Sequence, residues 1–230
     1  MLRHWEKLPE NMRVPEVRPY YDILNKRRFS IFLKRFTDYA LAILLLIVFL
    51  IPMAIIAVAI KLDSEGPVMY RQERVTTYGK RFMIHKFRTM VSNAEQTGSS
   101  VTVNADRRIT NVGKWLRRLH LDEIPQMLDI LEGNMSFVGT RPEVVKYVDR
   151  YPPEYRATLL LPAGITSEAS IRYKNESQLI DQADDVDRTY MEEVLPDKMY
   201  WNLKSLARFR FLREALTMVR TVLAVLGKDY

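Results

Sequence analysis

The sequence predicts an α+β chain, predominantly helical, built around one apolar membrane segment. Three observations carry this. Residues 39–60 hold no charged side chain, and that length suits the ~20 residues a helix needs to cross a bilayer. The β-prone stretches Pro67-Val68-Met69-Tyr70 and Phe82-Met83-Ile84 flank the turn signal Tyr78-Gly79, which reads as a small β-hairpin. Helical periodicity appears after Asn111, after Pro125 and over residues 203–226, with arginines among the apolar positions of the last, the pattern of an interfacial amphipathic helix.

Composition narrows the partners. Lys and Arg total 35 against 28 acids, a net charge of +7 and a pI near 9.5. That balance suits a phosphate-rich partner: nucleic acid, an anionic bilayer or phosphorylated small molecules. The apolar run argues against nucleic acid. There is no cysteine, which excludes disulfides and thiolate chemistry. His4, His85 and His120 share no metal-ligand spacing, which argues against zinc.

Residues 1–33 read as a loose, basic lead-in with Pro9, Pro15 and Pro19; Phe29, Ile31, Phe32 and Phe36 among cations suit a membrane-surface segment, and a solvated arm fits as well. The apolar run is flanked by Lys26, Arg27, Arg28, Lys34 and Arg35 on one side and Lys61, Arg71, Arg74, Lys80 and Arg81 on the other. Lys- and Arg-rich flanks favour the cytoplasm, so both ends on one face imply a re-entrant segment, with Pro52 as the break. An ordinary span with a proline kink is the alternative.

Lys86-Phe87-Arg88-Thr89-Met90 interleaves cations with apolar residues, and residues 91–105 read as a loop rich in Ser, Thr and Asn. Asn111 is a candidate N-cap for a helix carrying Lys114, Arg117 and Arg118. That helix runs into His120-Leu121-Asp122-Glu123-Ile124-Pro125. Proline belongs in a first helical turn, so Asp122 is expected near the N-cap and Glu123 in the first turn. Leu128, Ile130 and Leu131 give the buried side and Gly133 the stop. Carboxylates at the positive end of a helix tend to stay ionised, which suits a nucleophile, a Mg²⁺ ligand or both; taken alone, the pair also reads as a cap with a dipole-matching charge. Arg141, stiffened by Pro142, offers a planar fork to phosphate or faces solvent. Asp181, Asp184, Asp185, Asp187, Glu192 and Glu193 read as a solvated face.

Taken in order, these pieces resemble the bacterial sugar transferase family, the monotopic phosphoglycosyl transferases. The resemblance rests on Lys34-Arg35-Phe36-Thr37-Asp38, Arg71-Gln72-Glu73-Arg74, Lys86-Phe87-Arg88-Thr89-Met90 and Asp106 to Thr110. It continues through Leu121-Asp122-Glu123-Ile124-Pro125-Gln126, Gly133-Asn134-Met135-Ser136-Phe137-Val138-Gly139, Arg141-Pro142 and Gly164-Ile165-Thr166. The family implies an amphipathic lead-in over 1–33, a re-entrant membrane helix over 34–63, a catalytic domain over 64–200 and an interfacial helix over 201–230. It places that domain on the cytoplasmic face of the bacterial inner membrane, against its lipid. It implies transfer of a sugar-1-phosphate from a UDP-sugar to a polyprenol phosphate, undecaprenyl phosphate, at the start of a surface glycan. The family's Asp attacks the β-phosphate and forms a covalent phosphosugar intermediate. Asp122 and Glu123 match its catalytic dyad, with Mg²⁺ at the dyad. Lys86, Arg88, Arg117 and Arg141, with Pro142, are the expected substrate-phosphate contacts. The phosphate-binding arginine usual before Gly-Ile-Thr is replaced by Pro162-Ala163, and Arg172 and Lys174 are candidates to substitute for it. A silent membrane-anchored scaffold is the competing reading. Homo-oligomerisation stays open.

Overall fold

The computed structural model describes residues 2–92, 106–173 and 185–225. Residues 93–105 of the loop expected over 91–105, with Lys174, Asp181 and Asp184, lie outside the described residues. Helices dominate, with two small sheets among them.

The first residues are not a loose arm. Short 3₁₀ turns at Trp5–Lys7 and Glu10–Met12 lead into α1, Arg18–Asn25. Leu2, Leu8, Met12, Val17, Tyr21 and Leu24 are buried, packed with Ala157, Leu160, Leu203, Leu206 and Phe209. Each such side chain contributes about 1.5–3 kcal/mol by leaving water. They are scattered among prolines and charges without a period, so no helical or strand pattern marks them.

Helix α2 spans Arg28–Asp63, 36 residues and about 54 Å at the standard rise. It starts six residues before the expected boundary at 34. Pro52 lies inside it, and the helix runs through without the expected break. Ile31, Lys34, Asp38, Ala42, Ile56 and Ile60 are buried, a stripe at helical spacing. Phe32, Phe36, Ile43, Ile47, Leu50, Ile51, Ile55, Val58 and Leu62 form an exposed apolar face opposite. The stripe packs on the protein along the helix. Ala42 meets Phe82, Ile84, Met127, Ile130 and Met135, while Ile56 and Ile60 meet Phe87 and Leu116.

Strands β1 (Met69–Val75) and β2 (Arg81–Phe87) form the expected hairpin, antiparallel with Arg71 opposite His85. Its turn holds Tyr78 and Gly79 at φ 59° and 78°. Helix α3, Asn111–Arg118, is capped one residue earlier than expected: Thr110 Oγ1 accepts the Gly113 N–H at 3.0 Å. Helix α4, Gln126–Leu131, buries Gln126, Met127, Asp129 and Ile130, whereas Leu131 is exposed. Gly133 ends it with φ 83°, and the Asn134 N–H returns to Asp129 O at 2.9 Å.

Strands β3 (Met135–Val138) and β4 (Ala163–Thr166) pair in parallel. Between them lies α5, Val145–Val148; α6, Glu168–Arg172, and α7, Val186–Thr189, follow. The expected C-terminal helix is two helices, α8 (Leu195–Ala207) and α9 (Phe211–Val225). The break divides the apolar stripe: Leu203, Leu206 and Phe209 enter the core, while Leu212, Leu216, Val219 and Val222 stay exposed. Helix α9 is pinned to α2 by Glu214 on Lys34 at 2.8 Å.

Candidate active site

The dyad sits one turn earlier than expected. Leu121–Glu123 is a 3₁₀ turn entered through His120 in the left-handed region (φ 54°), and Pro125 occupies the N-cap position of α4. Asp122 and Glu123 therefore precede α4 and cap nothing.

What surrounds Glu123 is two cations. Its Oε1 accepts from Lys86 Nζ at 2.7 Å and from Arg141 Nη2 at 2.5 Å; Oε2 faces Arg141 Nη1 at 3.4 Å. Burial pushes the Glu123 carboxyl up, but Arg141 and Lys86 outweigh it and hold the group below the usual carboxylate range. Asp122 goes the other way. Burial raises its carboxyl most, Lys86 opposes, and the neighbouring Glu123 charge raises it further. Among the described residues it accepts no hydrogen bond. One acid is thus neutralised and fixed, the other unbonded and sensitive to any cation that arrives.

Arg117 joins from α3: its Nε donates to Thr89 Oγ1 at 2.8 Å, and its charge acts on Asp122 and Asp106. Arg88 does not join. It is buried, and its guanidinium donates to Ser64 O at 2.7 Å, Glu65 O at 2.5 Å and Ile60 O at 3.4 Å. Ser64 O and Glu65 O lie just past the end of α2, and Ile60 O, in its last turn, is shared with the Ser64 N–H at 3.2 Å. The expected phosphate contact is in the structure a cap on the membrane helix. Arg172 lies over the Trp201 ring, 3.7 Å from its centroid, rather than in this cluster.

The turn that presents Arg141 rests on residues given no role at the site by the sequence alone. Arg74 Nη1 donates to Pro142 O at 3.2 Å, and the Val75 N–H to Glu143 O at 3.0 Å. Buried Glu143 accepts from Tyr190 Oη at 2.6 Å, with Lys198 at 3.8 Å. Asp187, expected on a solvated face, accepts from Lys146 and Tyr147. His85 is also drawn in: its ligand atom, Asp129 and Glu132 lie within 4.8 Å of one another. No local pattern marks these, because the partners are tens of residues apart.

The geometry fits a divalent cation at Asp122. Mg²⁺ is usually held by one or two carboxylates plus substrate phosphates, and the Asp122 carboxylate is unengaged. Both Glu123 oxygens already face cations, so an ion reaching Glu123 has to displace Lys86 or Arg141. Lys86, Arg117 and Arg141 around two acids leave the cluster net positive before any ion binds, which suits a phosphorylated ligand.

The bacterial sugar transferase model matches residues 29–227. The chain is 40% identical over 143 residues to UDP-N-acetylgalactosamine-undecaprenyl-phosphate N-acetylgalactosaminephosphotransferase of Aeromonas hydrophila, covering 61% of this chain and 34% of that protein. It is 37% identical over 169 residues to UDP-glucose:undecaprenyl-phosphate glucose-1-phosphate transferase of Escherichia coli K12, covering 70% and 36%. A Rhizobium leguminosarum exopolysaccharide production protein matches at 36% over 158 residues, covering 66% and 75%. The chain thus spans about a third of the length of the first two relatives. With nearly its whole length matched, the chain belongs to the bacterial sugar transferase family.

Proposed function

We propose that this chain transfers a sugar-1-phosphate from a UDP-sugar to undecaprenyl phosphate through an aspartyl phosphosugar intermediate, at the start of a surface glycan. The observation that carries this is the unequal dyad: Asp122 unbonded beside Glu123 clamped by Lys86 and Arg141. An Asp122 oxygen forms a bond to the phosphorus that bears the sugar. The bond from that phosphorus to the bridging oxygen breaks, and UMP leaves with the electron pair. An oxygen of undecaprenyl phosphate then attacks the same phosphorus and releases Asp122. Arg141, Lys86 and Arg117 neutralise phosphate charge that would otherwise repel the attacking carboxylate. Mg²⁺, held by Asp122 and the substrate phosphates, would add Lewis-acid charge at the same place.

The lipid acceptor requires a site at a bilayer. The apolar face of α2, continued by Leu212, Leu216, Val219 and Val222 of α9, supports contact with the inner membrane. Because α2 is unbroken, its buried stripe supports a helix held along the protein with both ends on the cytoplasmic face rather than a chain that reverses at Pro52. A helix crossing to the far side would have to strip its protein contacts at one end.

Purified protein is mixed with candidate UDP-sugars without acceptor. A burst of UMP matching the enzyme concentration, lost in Asp122→Asn, is the expected result. UMP that appears only when undecaprenyl phosphate is added, at equal rates in wild type and Asp122→Asn, would mean direct attack by the lipid. No UMP with any UDP-sugar and acceptor would favour the scaffold reading.

A further inference from the structure

Lys86 reaches Glu123 from β2, and among the described residues β2 has only β1 beside it. The outer edge of such a strand carries N–H groups in need of partners. At His85, next to Lys86, the partner is Asp129 of α4. Its Oδ2 accepts the His85 backbone N–H at 2.9 Å, and its Oδ1 accepts the ring Nδ1–H at 2.9 Å. The Asp129 side chain is fully buried and that of His85 is 12% exposed. From β1, the Arg71 guanidinium closes on Nε2 and donates to Met83 O at 2.9 Å. A guanidinium only donates, so Nε2 accepts and Nδ1 carries the proton toward Asp129. One carboxylate therefore holds both the backbone and the ring of His85. The same α4 follows directly from the turn that carries Glu123.

We infer that Asp129 and His85 are positioning residues that fix the root of Lys86 against α4 and so set its ammonium on Glu123. Lysine is a flexible four-carbon arm, and its head is only as well placed as its root. Neither residue touches a dyad oxygen; both act through Lys86. Lys86 in turn is the strongest influence opposing ionisation loss at Asp122. The effect on turnover rests on the proposed phosphotransfer, but the placement of Lys86 does not.

Two readouts separate these. The first is the reactivity of the Lys86 amine toward an acylating reagent in the unliganded protein, followed by mass spectrometry with exposed Lys26 and Lys61 as references. Lys86 should be protected in wild type and labelled faster in Asp129→Asn. His85→Leu should match Asp129→Asn. His85→Asn, whose Nδ2 stands about where Nδ1 does, should keep the protection. The second is a cycle with Lys86→Met read by the UMP burst. Asp129→Asn should slow the burst by about tenfold or more in the wild-type background and add nothing once Lys86 is gone. A general packing defect would instead slow both backgrounds equally. Equal slowing, or Lys86 labelling unchanged in both Asp129→Asn and His85→Leu, overturns the inference. Absence of any burst in wild type, with Lys86 labelling still responding, overturns the phosphotransfer reading and leaves the positioning role standing. If Asp129→Asn does not fold, the His85 pair decides.

Discussion

Replacing Lys34 by Met tests how the membrane helix is joined to the rest. Lys34 Nζ donates to Val138 O at 2.7 Å, pairs with Glu214 Oε2 at 2.8 Å and lies 4.0 Å from Asp38 Oδ2. The three side chains are 5%, 12% and 4% exposed. Met follows the same aliphatic path, so little packing is lost. What is lost is the one cation between two buried carboxylates. Removing one partner of a buried pair costs about 3–5 kcal/mol, since the remaining charge is uncompensated. For a chain of this size each kcal/mol moves the midpoint by roughly 2–4 °C, so a fall of about 6–20 °C is expected. Adding Glu214→Leu removes one of the stranded charges and should recover part of the loss. Asp38 remains, but it keeps the Ser136 hydroxyl at 2.7 Å. The measurements are thermal unfolding in one fixed detergent and limited trypsin digestion. Cleavage at Arg208 and Arg210, between α8 and α9, should accelerate in Lys34→Met as α9 detaches. A midpoint within about 2 °C of wild type, or a double variant that is simply the sum of the two singles, would refute the latch.

Three further outcomes follow from the same geometry. Arg141→Lys should lower UMP release by about tenfold or more, because a lysine cannot span both Glu123 oxygens; unchanged kinetics would mean the fork is dispensable. Asp122→Asn should fold and be at least as stable as wild type at neutral pH. The fold raises the Asp122 pKa, so its ionised form weakens the native state as pH climbs from the unfolded value near 3.8 through the raised one. The variant's advantage should vanish in melts below that range, and a variant less stable than wild type at pH 7 would contradict the assigned environment. Lys26→Cys and Glu65→Cys, in a chain with no native cysteine, should both resist an impermeant thiol reagent in intact cells and react after lysis. Labelling of one alone in intact cells would rule out both ends of α2 lying on the cytoplasmic face.

Much of the chemistry was legible in the residues themselves. An uncharged run of membrane length needs no partner to declare itself, and Tyr78-Gly79 between β-prone stretches declares a hairpin locally. Asp122-Glu123 before Pro125 marks a helix start, because proline's missing N–H tolerates few positions. The helix boundaries slipped by a residue or a turn: Thr110 caps in place of Asn111, and α4 begins after Pro125. Side-chain caps and 3₁₀ turns differ there by fractions of a hydrogen bond that a linear pattern does not rank.

Only the tertiary structure decided how equal-looking charges divide their work. Arg88 and Arg141 read alike in sequence, yet one caps the carbonyls ending α2 and the other clamps Glu123. The acids of the dyad also read alike, and they part because Lys86 and Arg141 converge on Glu123 and leave Asp122 unbonded. The stripe of α2 that faces the protein was invisible because most of it is as apolar as the exposed side, and period reports only contrast. The N-terminal residues entered the core for a similar reason: Leu2, Met12 and Val17 are buried by Leu160 and Leu206, which lie far away in the chain. A sequence states which groups can bond; which of them meet is set by the packing of segments that share no local signal.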